Sequence, residues 1–260
     1  MKLLDNLDLE TLTVQLSRGS RRYALDVKLE SYSCKMVTEE KRQFKNLLAR
    51  LEAEGLQESC LKLSPSRTLR GFRELTGENL DRETFKMSSF QAELDSDPQS
   101  LNRSRTASCC SECDGADSRP KPQHPFISAK ELFCLMSTIT VSFDSTYDFM
   151  NTNSEDFCLE PELAVVRNYI SRFCSIYVNK YEALAPKLWN AIDAEILPHR
   201  CVIYSYKPNH STDPYSIRCL ASFNYFFFNR NLRRILFFSL CVRNEPPVDD
   251  IYEDDMQDLF

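Results

Sequence analysis

The residues of this chain whose neighbours give them chemistry are a few serines, a cysteine cluster, one histidine and a group of arginines. Ser64 precedes Pro65 within "LSPSR", the dipeptide that proline-directed kinases accept, and Ser66 lies just beyond the proline. Ser108 has Arg105 three positions before it and Arg103 five before it, a spacing that basophilic kinases read through charge complementarity. A phosphate on any of the three adds about −1.5 to −2 charges and three strong acceptor oxygens, enough to capture an arginine or to repel an acidic surface. The alternative is an unmodified serine in a loop.

Metal and catalytic chemistry find less support. Cys109, Cys110 and Cys113 form a C-x-x-C beside Asp114, but a zinc site needs four ligands and no second pair at a matched spacing follows. No metal is expected. His199 and Cys201 stand two apart, which on an extended chain points them to opposite faces and keeps a base from its thiol. Asp193 and Glu195 are too far apart around a helix to share a proton. With no G-x-S-x-G, phosphate loop or H-E-x-x-H, the expectation is a protein that is not an enzyme and takes no cofactor.

Charge is unevenly placed. The 32 basic and 38 acidic residues give a net charge of −6. The last stretch, "EPPVDDIYEDDMQDLF", holds seven carboxylates and no base, which leaves the rest of the chain near +1. Asp249, Asp250, Glu253, Asp254 and Asp255 are therefore candidates to bind a basic surface, or else a solubilising end. A general nucleic-acid binder would need a broad basic footprint, so direct sequence-specific nucleic-acid binding is not expected. Eleven cysteines in a 260-residue chain whose start is interrupted at Asp5 fit reduced, intracellular thiols better than a secreted disulfide framework. No uncharged apolar run approaches the roughly 18 residues of a bilayer helix, so no membrane contact is expected.

Periodicity outlines the elements that would position these groups. Leu3, Leu4, Leu7, Leu12 and Leu16 make a rough helical stripe. "YALDVKLE" alternates as a strand with one wet face, carrying Ala24, Asp26, Lys28 and Glu30 on that face. From Thr38, a plausible N-cap, a helix buries Phe44, Leu47, Leu48 and Leu51 and stops at Gly55. Between about Leu61 and Pro125 regular spacing disappears into Ser, Arg, Asp, Pro and Cys, which reads as a long mobile linker, with "NLDRETFKMSSFQAEL" as a short marginal helix within it. Ser128 and Glu131 have capping-box spacing before a stripe of Leu132, Leu135, Met136, Ile139 and Phe143. Helices are expected to start near Pro161, with Val166, Ile170, Phe173 and Tyr177 inward, and at Pro186.

Three strands, "RCVIYSYK", "CLASFNYFFFN" and "LRRILFFSLCV", follow in series, the last two joined by "NRN", whose asparagines tolerate positive φ. In the middle strand Ser222, Asn224, Phe226 and Phe228 share one face, and Phe223, Tyr225 and Phe227 the other. Rings on both faces imply a sheet covered on both sides; stacking on RNA is the weaker reading, since the usual aromatic RNA-recognition motif is missing. Arg230, Arg233 and Arg234 gather at the turn, either as a solvated hairpin end or as a dock for an acidic partner or the chain's own tail.

In their order, "MKLL", "ESYSCKM", "LSPSR", "LWNAIDAEI", "IYSYKP" and "SFNYFFFNRNLRRILFFS" resemble the eukaryotic Maf-type repressors of RNA polymerase III transcription, which are unrelated to the leucine-zipper factors of similar name. The resemblance covers the first sixty or so residues and roughly Ser128 to Ser239; "SRTASCCSECDG" and the shortness of the acidic tail depart from it. It implies an α/β fold, a single globular domain with a central antiparallel sheet flanked by helices and interrupted by a long mobile linker. The expected division is 1–60 and 127–243 as two parts of one core, 61–126 as a regulatory linker and 244–260 as an acidic tail. It further implies a negative regulator that binds RNA polymerase III, blocks its recruitment by TFIIIB to tRNA and other small-RNA genes, and moves between nucleus and cytoplasm. Growth-signalling kinases and phosphatases would control it, with Ser64 and Ser66 in the segment where such proteins carry regulatory phosphates. A small-ligand-sensing α/β module is the runner-up reading.

Overall fold

The computed structural model describes residues 1–64, 66, 68, 125–143, 152–160, 162–207 and 219–245. Among these residues eight strands and five α-helices follow in the order β1 (Lys2–Leu4), α1 (Leu7–Ser17), β2 (Ala24–Ser33), α2 (Thr38–Ala53), β3 (Leu61–Lys62), β4 (Phe126–Ile127), α3 (Ala129–Phe143), β5 (Phe157–Glu160), α4 (Leu163–Tyr177), α5 (Tyr181–Ile196), β6 (Val202–Tyr206), β7 (Cys219–Asn229) and β8 (Arg234–Arg243). Six strands form one antiparallel sheet in the order β1-β2-β8-β7-β6-β5, and β3 pairs with β4 in a separate short ladder. This is the expected α/β fold with a central antiparallel sheet flanked by helices.

The sheet joins the two ends of the sequence. β2 lies against β8 over ten residue pairs, from Ala24↔Arg243 to Ser33↔Arg234, so neither half can complete the sheet alone. The β7–β8 hairpin forms its centre, and its rings fill both faces as the alternation requires. Phe223, Tyr225 and Phe227 pack with Leu25, Val27 and Leu29 beneath α1, α4 and α5. Phe226, Phe228, Ile235 and Phe237 pack with Tyr32 beneath α2 and α3. Phe226 and Phe237, directly paired across the strands, stack with centroids 4.7 Å apart.

Several local expectations give way to this packing. Leu3 and Leu4 belong to the edge strand β1, and the first helix starts only after Asn6, whose side chain accepts from the Asp8 and Leu9 amides. Leu9, Leu12 and Leu16 make its buried stripe, while Leu7 stays exposed. The second face of β2 is not wet: α3 covers it, Lys28 lies over the Phe143 ring, and Glu30 accepts from Tyr32 and Ser142. At α2 the N-cap residue is Val37, one before Thr38, and its amide donates to the Glu40 carboxylate at 2.9 Å. Gly55 does end that helix, at φ 69°, with the Gly55 amide on Glu52 O and the Leu56 amide on Leu51 O.

In α3 the Glu131 amide donates to Ser128 Oγ, but the Glu131 side chain turns away toward Arg230, so only half of the capping box forms. This helix is buried on almost every side, as its position between the sheet and α2 demands. Helix α4 begins at Leu163, with Val166, Ile170 and Phe173 buried; Pro161 lies outside the described residues. Pro186 does not open α5. That helix starts at Tyr181, a turn and a half earlier, because Tyr181 is itself buried and Leu184 and Ala185 pack on the core. Order also continues past residue 60: Leu61 and Leu63 are buried, and the Ser64 amide donates to Phe157 O at 2.9 Å.

Candidate functional site

Two neighbourhoods gather the residues singled out in the sequence. The first is the end of the sheet at the β7–β8 turn. Asn229 closes β7 with its side chain turned inward: Oδ1 accepts from the Asn231 and Leu232 amides, and Nδ2 donates to Ile196 O at 2.8 Å. The asparagine therefore works through hydrogen bonds, and the residue at positive φ is Arg233, at 51°. The turn is thereby fixed against the end of α5, where Leu197, also left-handed at φ 52°, leads into the exposed His199 and Arg200.

The three arginines of this turn differ in their ties. Arg230 Nε donates to Glu131 Oε1 at 2.6 Å with its side chain still 59% exposed. Arg234 reaches Glu195 Oε1 at 3.1 Å, and the same carboxylate accepts from Ser31 Oγ at 2.7 Å and Asn6 Nδ2 at 2.8 Å. Arg233 is exposed and forms no ion pair among the described residues. The turn thus offers rigid positive charge at the surface, anchored by two carboxylates beneath it. Asp249, Asp250, Glu253, Asp254 and Asp255 lie outside the described residues.

The second neighbourhood is the seat of the serines on edge strand β5. Ser64 is half-buried; it bridges to Cys158, and its hydroxyl donates to Glu155 O at 2.5 Å. Ser66 Oγ donates to Glu160 Oε2 at 2.5 Å. Glu160 is only 4% exposed, and its other oxygen accepts from Ser205 at 2.6 Å. Thr68 and the buried Tyr225 hydroxyl share a hydrogen bond of 3.0 Å. Burial, with the nearby Glu160 carboxylate adding to it, pushes the Tyr225 phenol well above its ordinary range, so it stays neutral. Between α2, β3 and the turn before β5 lies an open cleft of about 430 Å³ whose lining mixes Arg50 and Lys62 with Glu54 and Glu155. Ser108 and the cysteines 109, 110 and 113 lie outside the described residues.

Elsewhere the chemistry is muted. The Cys201 thiol donates to Ile196 O at 3.4 Å, and burial pushes it up to about 12, which keeps it protonated. Asp193 has no role beside Glu195, whose part as a junction of α5, β2 and β8 had no sequence signal because its partners Ser31 and Asn6 are 164 and 189 residues away. Among the described residues no group of three His, Cys, Asp or Glu side chains is placed to hold a metal, and no helix is long and apolar enough to cross a membrane.

Residues 25–239 match the family model described as Maf1 regulator. Over 119 residues the chain is 37% identical to a Dictyostelium discoideum protein named repressor of RNA polymerase III transcription, an overlap of 45% of this chain and 42% of that one. A Schizosaccharomyces pombe protein named repressor of RNA polymerase III transcription maf1 is 30% identical over 114 residues, 44% of this chain and 47% of that one. The matched stretch is thus less than half the length of either relative. A crystal structure of citrus MAF1 superimposes with a TM-score of 0.51 at 18% identity, over 90% of this chain and 97% of that one, and shares the fold. With the family model spanning most of its length, the chain belongs to the Maf1 regulator family.

Proposed function

We propose that this chain represses transcription by RNA polymerase III by binding the polymerase and preventing its recruitment by TFIIIB. The observation that carries the reading is the family match across residues 25–239, together with two relatives that are named repressors of that transcription. The architecture supports action by contact: a closed core presents an anchored basic turn and a seated serine segment at its surface. No bound small molecule has to be invoked. The protein would act in the nucleus and be held in the cytoplasm when growth signalling is strong.

Phosphorylation would act through the serine seat. The Ser66 hydroxyl points at a buried carboxylate, so a phosphate there would set two like charges side by side in a poorly hydrated place. Ser64 donates to a backbone carbonyl next to Glu155 and Asp156, which disfavours a second anion for the same reason. Segment 64–68 must therefore leave β5 before a kinase can modify it, and a phosphate would hold it off. The carboxylates from Glu253 to Asp255 would compete with an acidic partner for Arg230 and Arg233. Transcription of a tRNA gene in nuclear extract with added protein tests the whole reading. Output should fall in proportion to protein added and recover after kinase treatment; unchanged output at saturating protein would end the proposal, and a metabolite retained through purification would favour the ligand-sensing alternative.

A further inference from the structure

Two cysteines of the β7–β8 hairpin form a pair that the proposed repression does not use. Cys241 pairs with Ser222 in the register, and Cys219 pairs with Arg243, with a bulge at Leu220 between Cys219 and Ala221. The bulge adds a residue to β7 and twists its start, and the register sets the Cys219 and Cys241 side chains diagonally across the ladder, each thiol the other's strongest electrostatic neighbour. Cys219 is half-exposed at the sheet end, whereas Cys241 is fully buried. The Arg243 guanidinium lies near both sulfurs, and the Ser222 side chain lies near Cys219.

We propose that Cys219 and Cys241 are a reversible oxidation site that forms an intrachain disulfide with peroxide as the oxidant. The accessible member is the one made nucleophilic: Cys241, then Ser222 and Arg243, lower the Cys219 thiol against the opposing effect of burial. Cys241 is raised, because it keeps the shared proton and lies inside the sheet. Cys219 thiolate attacks one peroxide oxygen, breaking the O–O bond; protonation of the departing hydroxide gives water and leaves a sulfenic acid. Cys241 sulfur then displaces the sulfenic hydroxyl, which departs as a second water with the Cys241 proton. Two thiols have lost two electrons and one peroxide has gained them, and a dithiol reductant reverses the step. Cys34 and Cys134 also meet thiol to thiol, but there the lowered thiol is the buried Cys134, so oxidant reaches it less readily.

The test is peptide mapping of the full chain after brief treatment with hydrogen peroxide and alkylation of remaining thiols. Trypsin should release residues 219–230 joined to residues 235–243, at a mass two hydrogens below the sum of the two peptides, and dithiothreitol should separate them. Replacement Cys219→Ser should remove the linked species and leave Cys241 largely unoxidised; Cys241→Ser should convert Cys219 to sulfenic and sulfinic acids. Accumulation of sulfinic acid at Cys219 in the unaltered chain, with no linked peptide, would overturn the proposal. So would faster oxidation of Cys241 than of Cys219. Circular dichroism of each variant separates failure to fold from failure to couple.

Discussion

At the residue scale the molecule is tied by carboxylates that each hold several donors. Glu195 accepts from Ser31, Asn6 and Arg234, so one side chain of α5 fixes the N-cap of α1, the end of β2 and the start of β8. Removing it leaves the Ser31 hydroxyl, on a residue 1% exposed, without its acceptor; Arg234, 41% exposed, can turn to water. Glu195→Ala should therefore cost about 2–3 kcal/mol, in the range for leaving a buried group unpaired, and Arg234→Ala under about 1 kcal/mol, in the range of a partly exposed ion pair. Urea denaturation with an unchanged m-value checks this; equal losses would mean that the ion pair, and not the buried hydroxyl, carries the energy. None of this was visible in the sequence, where Glu195 stood only as an unconvincing partner for Asp193. Hydrogen bonds across such separations leave no periodicity to read.

At the scale of elements, the β7–β8 hairpin dominates because, among the described strands, it supplies most of the strand rings in one core and three of those in the other. Phe227 is fully buried, and it lies among Leu236, Ile203 and the helices of its face. Phe227→Ala should destabilise the protein by about 3–5 kcal/mol, by lost burial and the cavity left behind. Leu232→Ala, at the exposed tip of the same hairpin, should change it by no more than about 0.5 kcal/mol. Amide exchange gives the companion measurement: strands β7 and β8 should be among the slowest to exchange, and rapid exchange there would refute the interior assignment. This hairpin was legible because a period of two with rings on both sides has one common solution, a sheet covered twice. Helix starts were less legible. Pro186 and Thr38 carry start signals, yet Tyr181 is buried early enough to draw α5 back beyond its proline, and Glu40 reaches the amide of Val37. A capping preference is worth about 1 kcal/mol and burial of a large side chain more, so packing sets these boundaries. The seat of Ser64, Ser66 and Thr68 escaped for a related reason: the apolar residues just before it, Leu61 and Leu63, are buried in a core shared with Ile127 and Leu132, far along the chain, and not by their own element.

At the scale of the whole molecule, the charge asymmetry read in the sequence acquires a geometry. Strand β8 starts at the arginine turn and ends at Arg243, after which Glu245 O still accepts from the Ala24 amide at 2.8 Å. The tail therefore departs from the opposite end of a ten-residue strand, roughly 30 Å from the turn at about 3.4 Å per residue. Residues 246–260 can span at most about 50 Å when extended; Asp249 and Asp250, within about 18 Å of Glu245, fall short of the turn, while the carboxylates from Glu253 onward have the length to reach Arg230 and Arg233. Truncation should begin after Glu245, since removing that residue would also break its bond to β2. If the tail shields the turn, the truncated protein should bind an acidic peptide several-fold more tightly than the full chain at low salt, and the difference should shrink as ionic strength rises and exposed charges are screened. Arg233→Glu in the truncated protein should abolish the gain, because Arg233 forms no ion pair among the described residues and its charge is directed outward. Equal affinities of the full and truncated chains across the salt series would show that the tail acts as a solubilising end and leaves the turn open to its partner at all times.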